Sequence, residues 1–193
     1  MTWRKLLPRA DGLRDEGRVG GPARTRALVA ALGVLPPIPI PVLPVPITAQ
    51  TLGMMLAGLL LGPRRGAAAL AVFLALVALG FPLLAGGRGG LSVFAGPSAG
   101  FLVAYPFAAS ATGWAARRIW DGYTFARGFA CALLGGIGVV YAVGIPGMAL
   151  IGGLSLSQAA LGSAVFLPGD IVKAVLAALI AGVVRRGYPA LRP

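Results

Sequence analysis

The spacing of the charged residues is the feature that most constrains what this chain can fold into. Asp, Glu, Lys and Arg make up only 11% of its 193 residues, and they cluster in short segments between long apolar stretches. A soluble domain of ordinary composition carries about 25% charged residues. The chain is long enough for six spans of roughly 20 residues with short loops. The pattern therefore predicts an all-α membrane protein built as a six-transmembrane-helix bundle.

Proline and glycine residues divide the apolar stretches into the predicted helices. Proline removes a backbone donor and clashes with the preceding turn, so it ends or kinks a helix. On this basis Gly62-Pro63 and Pro146-Gly147 are predicted to end helices, and prolines exclude a helix from 36 to 46. The predicted spans cover residues 24–35, 48–61, 66–84, 97–116, 124–145 and 168–186, with a short amphipathic helix at 156–164.

Basic residues predict the orientation of these spans. Fifteen of the 17 Lys and Arg residues fall in the N-terminal segment, the turn at 62–66, the loop at 117–127 and the C-terminus. Cytosolic segments carry such an excess, so the bundle is predicted to be N-in and C-in. The net charge of +12 is attributed to topology rather than to binding of nucleic acid. Residues 1–23 are expected to form a partly disordered cytosolic tail, residues 24–187 the transmembrane domain, and residues 188–193 a short cytosolic tail.

Three charged residues remain outside the predicted cytosolic segments, namely Arg88, Asp170 and Lys173. Charges at membrane depth are costly, and they usually line a cavity or pair with each other. Asp170 and Lys173 are spaced i, i+3, which puts both on one face of a helix, and Pro168 suits its first turn. One interpretation is an ion pair that only orients this helix, with Arg88 at lipid headgroups. The other is a shared pocket of net charge +1 that binds a monoanionic solute with amide-like N–H donors.

Other residues bear on what such a pocket does. Four aromatic side chains are candidates to cover the apolar part of a solute, although helix packing is their more ordinary role: Phe81, Phe94, Tyr105 and Tyr141. The chain has no histidine and a single cysteine, and it lacks the G-x-x-x-x-G-K-[ST] phosphate loop. These absences argue against metal sites, nucleophilic catalysis and direct ATP binding. We expect neither an enzyme nor a cofactor.

Small residues recur at four-residue spacing in two of the predicted helices. Ala27 and Ala31 lie on the first, and Gly58 and Gly62 on the second. Such spacing lets helices approach closely. It predicts either packing inside the bundle or, for the first helix, docking onto a partner membrane protein.

Several segments together resemble the BioY family of biotin transporters, the substrate-binding S components of energy-coupling factor (ECF) transporters. They appear in the family's order and spacing: residues 46–53 (PITAQTLG), 56–64 (LAGLLLGPR), 80–90 (GFPLLAGGRGG), 96–101 (GPSAGF) and 167–173 (LPGDIVK). The resemblance implies an S-component-like bundle in the cell membrane that captures biotin from outside. It also implies partners, namely an energy-coupling T protein and two ABC-type ATPase subunits, which alone use ATP.

The resemblance also assigns site residues. The family's ligand-contacting arginine, aspartate and lysine fall on Arg88, Asp170 and Lys173. Some relatives have an asparagine before the glycine loop, and this chain has none, so Gln50 and Thr48 are the candidate substitutes. Tyr141 and Phe81 are further candidates for biotin contacts, and Ala27 and Ala31 for docking onto the T protein.

Two alternative functions stay open at this point, namely an S component for a different vitamin-like anion and an assembly subunit without a ligand of its own. It is equally open whether the chain transports alone, as a homo-oligomer, or only with the ATPases.

Overall fold

The computed structural model describes residues 49–187 and residue 193. The predicted helix at 24–35, the proline-rich segment after it, and residues Ala27, Ala31 and Thr48 lie outside the described residues. Within them the chain is helical, and the α-helices are α1 (Ala49–Ala78), α2 (Ala99–Ile119), α3 (Phe125–Leu133), α4 (Val140–Gly152), α5 (Leu156–Ala164) and α6 (Leu167–Gly187). A short 3₁₀ helix precedes α2 at Leu91–Phe94, and a π-helical segment, Leu134–Val139, joins α3 to α4.

Helix α1 reverses direction at Gly62 and is in effect a helical hairpin. Gly62 has φ 78° and ψ −176°, which no helix contains. A Cβ added to Gly66 would lie 2.9 Å from the carbonyl oxygen of Ala57, whereas nine residues span roughly 13 Å in a straight helix. The predicted break at Gly62-Pro63 is confirmed. The predicted end at Leu84 is wrong, because the helix stops at Ala78 and Gly80 (φ 100°) begins a turn there.

Helix α2 packs along this hairpin and makes the most extensive interface in the described bundle. Glycines allow the backbones to meet. A Cβ added to Gly58 would lie 2.8 Å from Ala109 O, and one added to Gly113 only 2.5 Å from Pro63 N. The spacing of Gly58 and Gly62 therefore serves packing inside the bundle. Helix α2 also runs three residues past the predicted end, so Arg117 and Arg118 form its last turn, where cations complement the helix dipole.

The predicted end of the fifth helix at Pro146-Gly147 is wrong. Pro146 lies inside α4, which continues to Gly152 and ends at Gly153 in the left-handed region (φ 63°). Proline is tolerated in membrane helices because neighbouring groups compensate for the lost hydrogen bond. Gly147 packs directly on Gly100 of α2, since an added Cβ would lie 2.6 Å from Gly100 Cα.

The other boundaries follow the local signals closely. The short helix α5 covers the predicted residues 156–164, and a capping box between Ser155 and Gln158 begins it. Helix α6 begins one residue before the predicted start, with Asp170 in its first turn.

The outer surface of the described bundle is apolar. By length and composition, three helical stretches in this part of the chain are long and apolar enough to cross a membrane, namely Gln50–Ala78, Phe125–Gly152 and Leu167–Gly187. The first of them contains the turn of the α1 hairpin at Gly62. Large side chains such as Leu79, Leu150 and Val183 are mostly exposed on this surface. Water solvates such a surface poorly and lipid solvates it well. The chain is therefore a multi-pass integral membrane protein.

Candidate functional site

A cavity of about 180 Å³ opens where α1 and α6 begin, next to the loop that follows α1. It brings together all three charged residues that the sequence analysis singled out, which are Arg88, Asp170 and Lys173. Its described lining is Gln50, Thr51, Leu84, Arg88, Ser98, Phe101, Leu102, Tyr105, Val140, Tyr141, Phe166, Asp170 and Lys173. The lining is thus mainly apolar and aromatic with a few polar groups, as in most small-molecule sites.

Asp170, Lys173 and Thr51 form a closed ring of hydrogen bonds inside the cavity. Lys173 Nζ lies 3.0 Å from Asp170 Oδ1 and donates to Thr51 Oγ1 at 2.8 Å. Thr51 Oγ1 in turn donates to Asp170 Oδ1 at 3.1 Å. Asp170 and Lys173 are only 4% and 7% exposed. The ring joins α1 to α6 and fixes the positions of two buried charges, which are stable in such surroundings only when paired.

Tyr141, on α4, is the third residue whose side chain hydrogen-bonds to Asp170. Its hydroxyl donates to Asp170 Oδ2 at 2.7 Å, and its ring meets Phe101 edge to face at a centroid distance of 5.9 Å. Tyr141 is the second residue after the π-helical segment, and such segments rotate the residues after them relative to a regular helix. The carboxylate is therefore held by side chains of three different helices.

The hydrogen-bonding capacity of this cluster is not exhausted. Asp170 Oδ1 accepts from Thr51 and Lys173, while Oδ2 accepts only from Tyr141. A carboxylate has about four lone-pair positions, and a lysine ammonium has three donors, two of which are used here. With respect to residues 49–187, one acceptor position of Asp170 and one donor of Lys173 remain unused. The cluster therefore suits a ligand that presents an N–H next to a carbonyl oxygen.

Arg88 provides a second polar region on the glycine-rich loop. The loop turns at Gly86 (φ 75°) and Gly87 (φ 68°), and Leu84 N donates to Arg88 O at 3.0 Å. The Arg88 side chain is exposed, and its Nε donates to Ala85 O at 3.3 Å. Its terminal nitrogens have no partner among the residues that the structure describes. With Lys173 and Asp170, Arg88 gives the described lining a net charge of +1, as predicted.

Gln50 contributes an unusual group. Its Nε2 is buried and has no hydrogen-bond partner in the described part of the chain, and Gln50 lines the cavity. Buried polar atoms without a partner are rare in native proteins, and each needs an explanation such as a ligand.

The remaining sequence candidates divide between the cavity and the surface. Tyr105 and Tyr141 line the cavity, whereas Phe81 is half exposed and, like Phe94, does not line it. Thr51 was not predicted to line the cavity, because a neutral residue carries no charge signal. Phe101 and Phe166 were not predicted either, because their positions carry no signal that separates them from other apolar positions.

An apolar helical bundle with a buried charged cavity near one end defines a class of protein, an integral membrane protein that binds a small polar solute. Residues 22–190 match the model of the BioY family. The chain is 49% identical over 170 residues to the biotin transporter BioY of Rhizobium etli, covering 86% of this chain and 91% of that protein. It is 50% identical over 155 residues to the probable biotin transporter BioY of Bacillus subtilis, covering 80% and 83%. This chain belongs to the BioY family.

A solved structure supports the same assignment of the fold. It is described as the crystal structure at 2.1 Å of the S-component for biotin from an ECF-type ABC transporter. It superposes with a TM-score of 0.74 at 33% identity and covers 91% of this chain and 94% of that chain. The fold is therefore that of an S component, and the family is one of transport proteins rather than of enzymes.

Proposed function

We propose that this chain takes up biotin as the substrate-binding S component of an ECF transporter. The observation that carries the proposal is the open donor and acceptor of the Asp170–Lys173 cluster, with Arg88 lining the same cavity. Biotin is a monoanion with a cyclic ureido group, so it carries N–H groups next to a carbonyl and a separate carboxylate. The names of the similar proteins support the same ligand.

The arrangement suggests an orientation for the ligand. The ureido ring lies against Asp170 and Lys173, where one N–H donates to Asp170 Oδ2 and Lys173 Nζ donates to the carbonyl oxygen. The carboxylate lies at Arg88, whose guanidinium binds it through two parallel hydrogen bonds. Phe101 and Tyr105 cover the apolar rings, and the buried Nε2 of Gln50 donates to an acceptor of the ligand. We retain Thr48 and Phe81 as weaker candidates for ligand contacts.

The proposed topology is a six-helix bundle with both termini in the cytosol. Of the nine Lys and Arg residues in the described part of the chain, seven lie away from the cavity, in turns and helix ends: Arg64, Arg65, Arg117, Arg118, Arg127, Arg185 and Arg186. This asymmetry supports a cytosolic location for that end of the bundle and an outward-facing cavity. Ala27 and Ala31 then dock onto a T protein, which two ATPase subunits energise. The chain needs no cofactor of its own.

The direct test is binding of labelled biotin to the purified chain, followed by competition with unlabelled vitamins. We expect saturable binding of one biotin per chain that unlabelled biotin displaces and other anionic vitamins do not. Displacement by another vitamin at lower concentration would favour the alternative ligand. Absence of any saturable binding would favour an assembly subunit without a ligand.

Replacing Arg88 by alanine should weaken biotin binding about tenfold to 100-fold, because a charge-assisted bidentate contact is lost. The same substitution should hardly change the affinity for biotin methyl ester, which has no carboxylate. Isothermal titration of both ligands with both proteins measures the difference. Equal losses for the acid and the ester would show that Arg88 does not bind the carboxylate.

Replacing Thr51 by valine should weaken biotin binding about tenfold. The substitution preserves the shape of the side chain but removes the hydroxyl that orients Lys173 and Asp170. Thr112→Val is the matched control, since Thr112 is also buried but its hydroxyl only donates to Ala108 O within α2. Equal effects of the two substitutions on affinity would contradict this role of Thr51.

A further inference from the structure

The loop between α2 and α3 is fastened to the C-terminal half of α6. Tyr123 Oη donates to Ala178 O at 2.6 Å, and Arg185 Nη2 donates to Asp121 O at 2.7 Å. A groove of about 180 Å³ lies between the loop, the start of α3 and α6. These two hydrogen bonds hold both walls of the groove in place. The groove lies away from the biotin cavity and shares no lining residue with it.

The groove changes character along its length. Leu179 and Val183 of α6 form one part of its lining and are 51% and 68% exposed, on the apolar surface that faces lipid. Thr124, Arg185 and Arg186 form the other part, at the loop and the helix end. The apolar part of the groove faces the membrane, and two guanidinium groups lie at its other end. A phospholipid has the matching order, with apolar acyl chains followed by an anionic phosphate.

Within residues 49–187, no carboxylate forms a salt bridge with Arg185 or Arg186 of the groove. Among the described residues the one salt bridge is that between Asp170 and Lys173 in the cavity. Arg118 instead stacks on Trp114, and Arg127 donates to Gly122 O. The side chain of Arg186 is exposed and makes no hydrogen bond or ion pair within 49–187. Its guanidinium is available to an anion.

We infer that this groove binds one anionic phospholipid, with the phosphate against Arg186 and an acyl chain along Leu179 and Val183. A guanidinium binds phosphate oxygens through two parallel hydrogen bonds. Basic pockets between transmembrane helices bind acidic headgroups in the same way. The assignment does not depend on the ligand of the cavity.

Native mass spectrometry of the delipidated full chain tests the inference by titration with phosphatidylglycerol and with phosphatidylcholine of the same acyl chains. We expect one phosphatidylglycerol per chain, bound at least about tenfold more tightly than phosphatidylcholine. Arg186→Gln should remove this preference. Arg118→Gln, which deletes the same charge from a residue stacked on Trp114, should retain it. Both variants should keep the apparent Tm of the unmodified chain in detergent, which shows that they are folded.

Three results would overturn the assignment. The first is equal binding of phosphatidylglycerol and phosphatidylcholine to the chain. The second is an equal loss of the preference for phosphatidylglycerol in the Arg186 and Arg118 variants. The third is displacement of phosphatidylglycerol by millimolar inorganic phosphate, which would show that the groove takes a free anion. A photo-crosslinking residue at Val183 adds an independent measurement. Crosslinks to lipid support the inference, and crosslinks to the chain's own residues 1–48 in place of lipid contradict it.

Discussion

Replacing Asp170 by asparagine should lower the affinity for biotin at least about 100-fold. The carboxylate accepts hydrogen bonds from Thr51, Tyr141 and Lys173, so an amide NH₂ in its place would face donors. Lys173 would also lose its counter-ion while buried, and breaking a buried pair costs about 3–5 kcal/mol. Equilibrium binding of labelled biotin to the purified variant gives the change in Kd.

Two further variants separate loss of binding from loss of folding. Asp121→Asn removes the same charge from the loop at the opposite end of the bundle, and it should leave biotin affinity unchanged. The double variant Asp170→Asn, Lys173→Met removes both charges, so its folded state should be more stable than that of Asp170→Asn alone. It should still fail to bind biotin. Biotin binding by Asp170→Asn within about twofold of the unmodified chain would show that this cavity is not the biotin site.

Replacing Gly113 by alanine should lower the free energy of unfolding of the bundle by about 1–3 kcal/mol. The added Cβ would lie 2.5 Å from Pro63 N, and that neighbour is backbone at the turn of α1, which cannot move aside as a side chain can. The α1–α2 interface would have to separate. For a chain of this size we expect the apparent Tm in detergent to fall by about 5 °C or more.

The matched control for this prediction is Gly138→Ala in the π-helical segment. A Cβ added there would meet its nearest neighbour, Leu133 O, at 3.8 Å, which is ordinary contact. This variant should keep the Tm of the unmodified chain. If Gly113→Ala had the same Tm as Gly138→Ala, the close approach of α2 to the turn of α1 would be wrong.

Much of the fold could be predicted because its signals are local. Gly62-Pro63 breaks a helix through its own backbone restrictions, and the capping box at Ser155 begins α5 through residues three apart. Pro146 shows the limit of such signals. In isolation a proline ends a helix. Helix α4 nevertheless continues past Pro146 to Gly152, and Gly147, next to this proline, packs on Gly100 of α2.

The charged part of the site was also predictable, for a different reason. A charge in an apolar span is too costly to be accidental, so Asp170 and Lys173 stand out without any knowledge of their contacts. Arg88 stands out because it is the other charged residue outside the predicted cytosolic segments. The neutral part of the site has no such signal. Thr51 reaches Asp170 across 119 positions of sequence, and many other threonines, serines and aromatic residues would look the same in the chain.

By itself, the sequence determined that the protein lies in lipid, that a helix breaks at Gly62-Pro63, and which charges must meet a partner. These follow from the cost of placing polar groups in hydrocarbon and from the conformational limits of proline and glycine. Only the tertiary structure decided that Thr51 and Tyr141 hold Asp170, that α2 packs along the α1 hairpin, and that Gln50 has a buried donor without a partner among residues 49–187. These depend on close packing between distant segments, whose free energy arises from contacts that neighbours in the chain do not make.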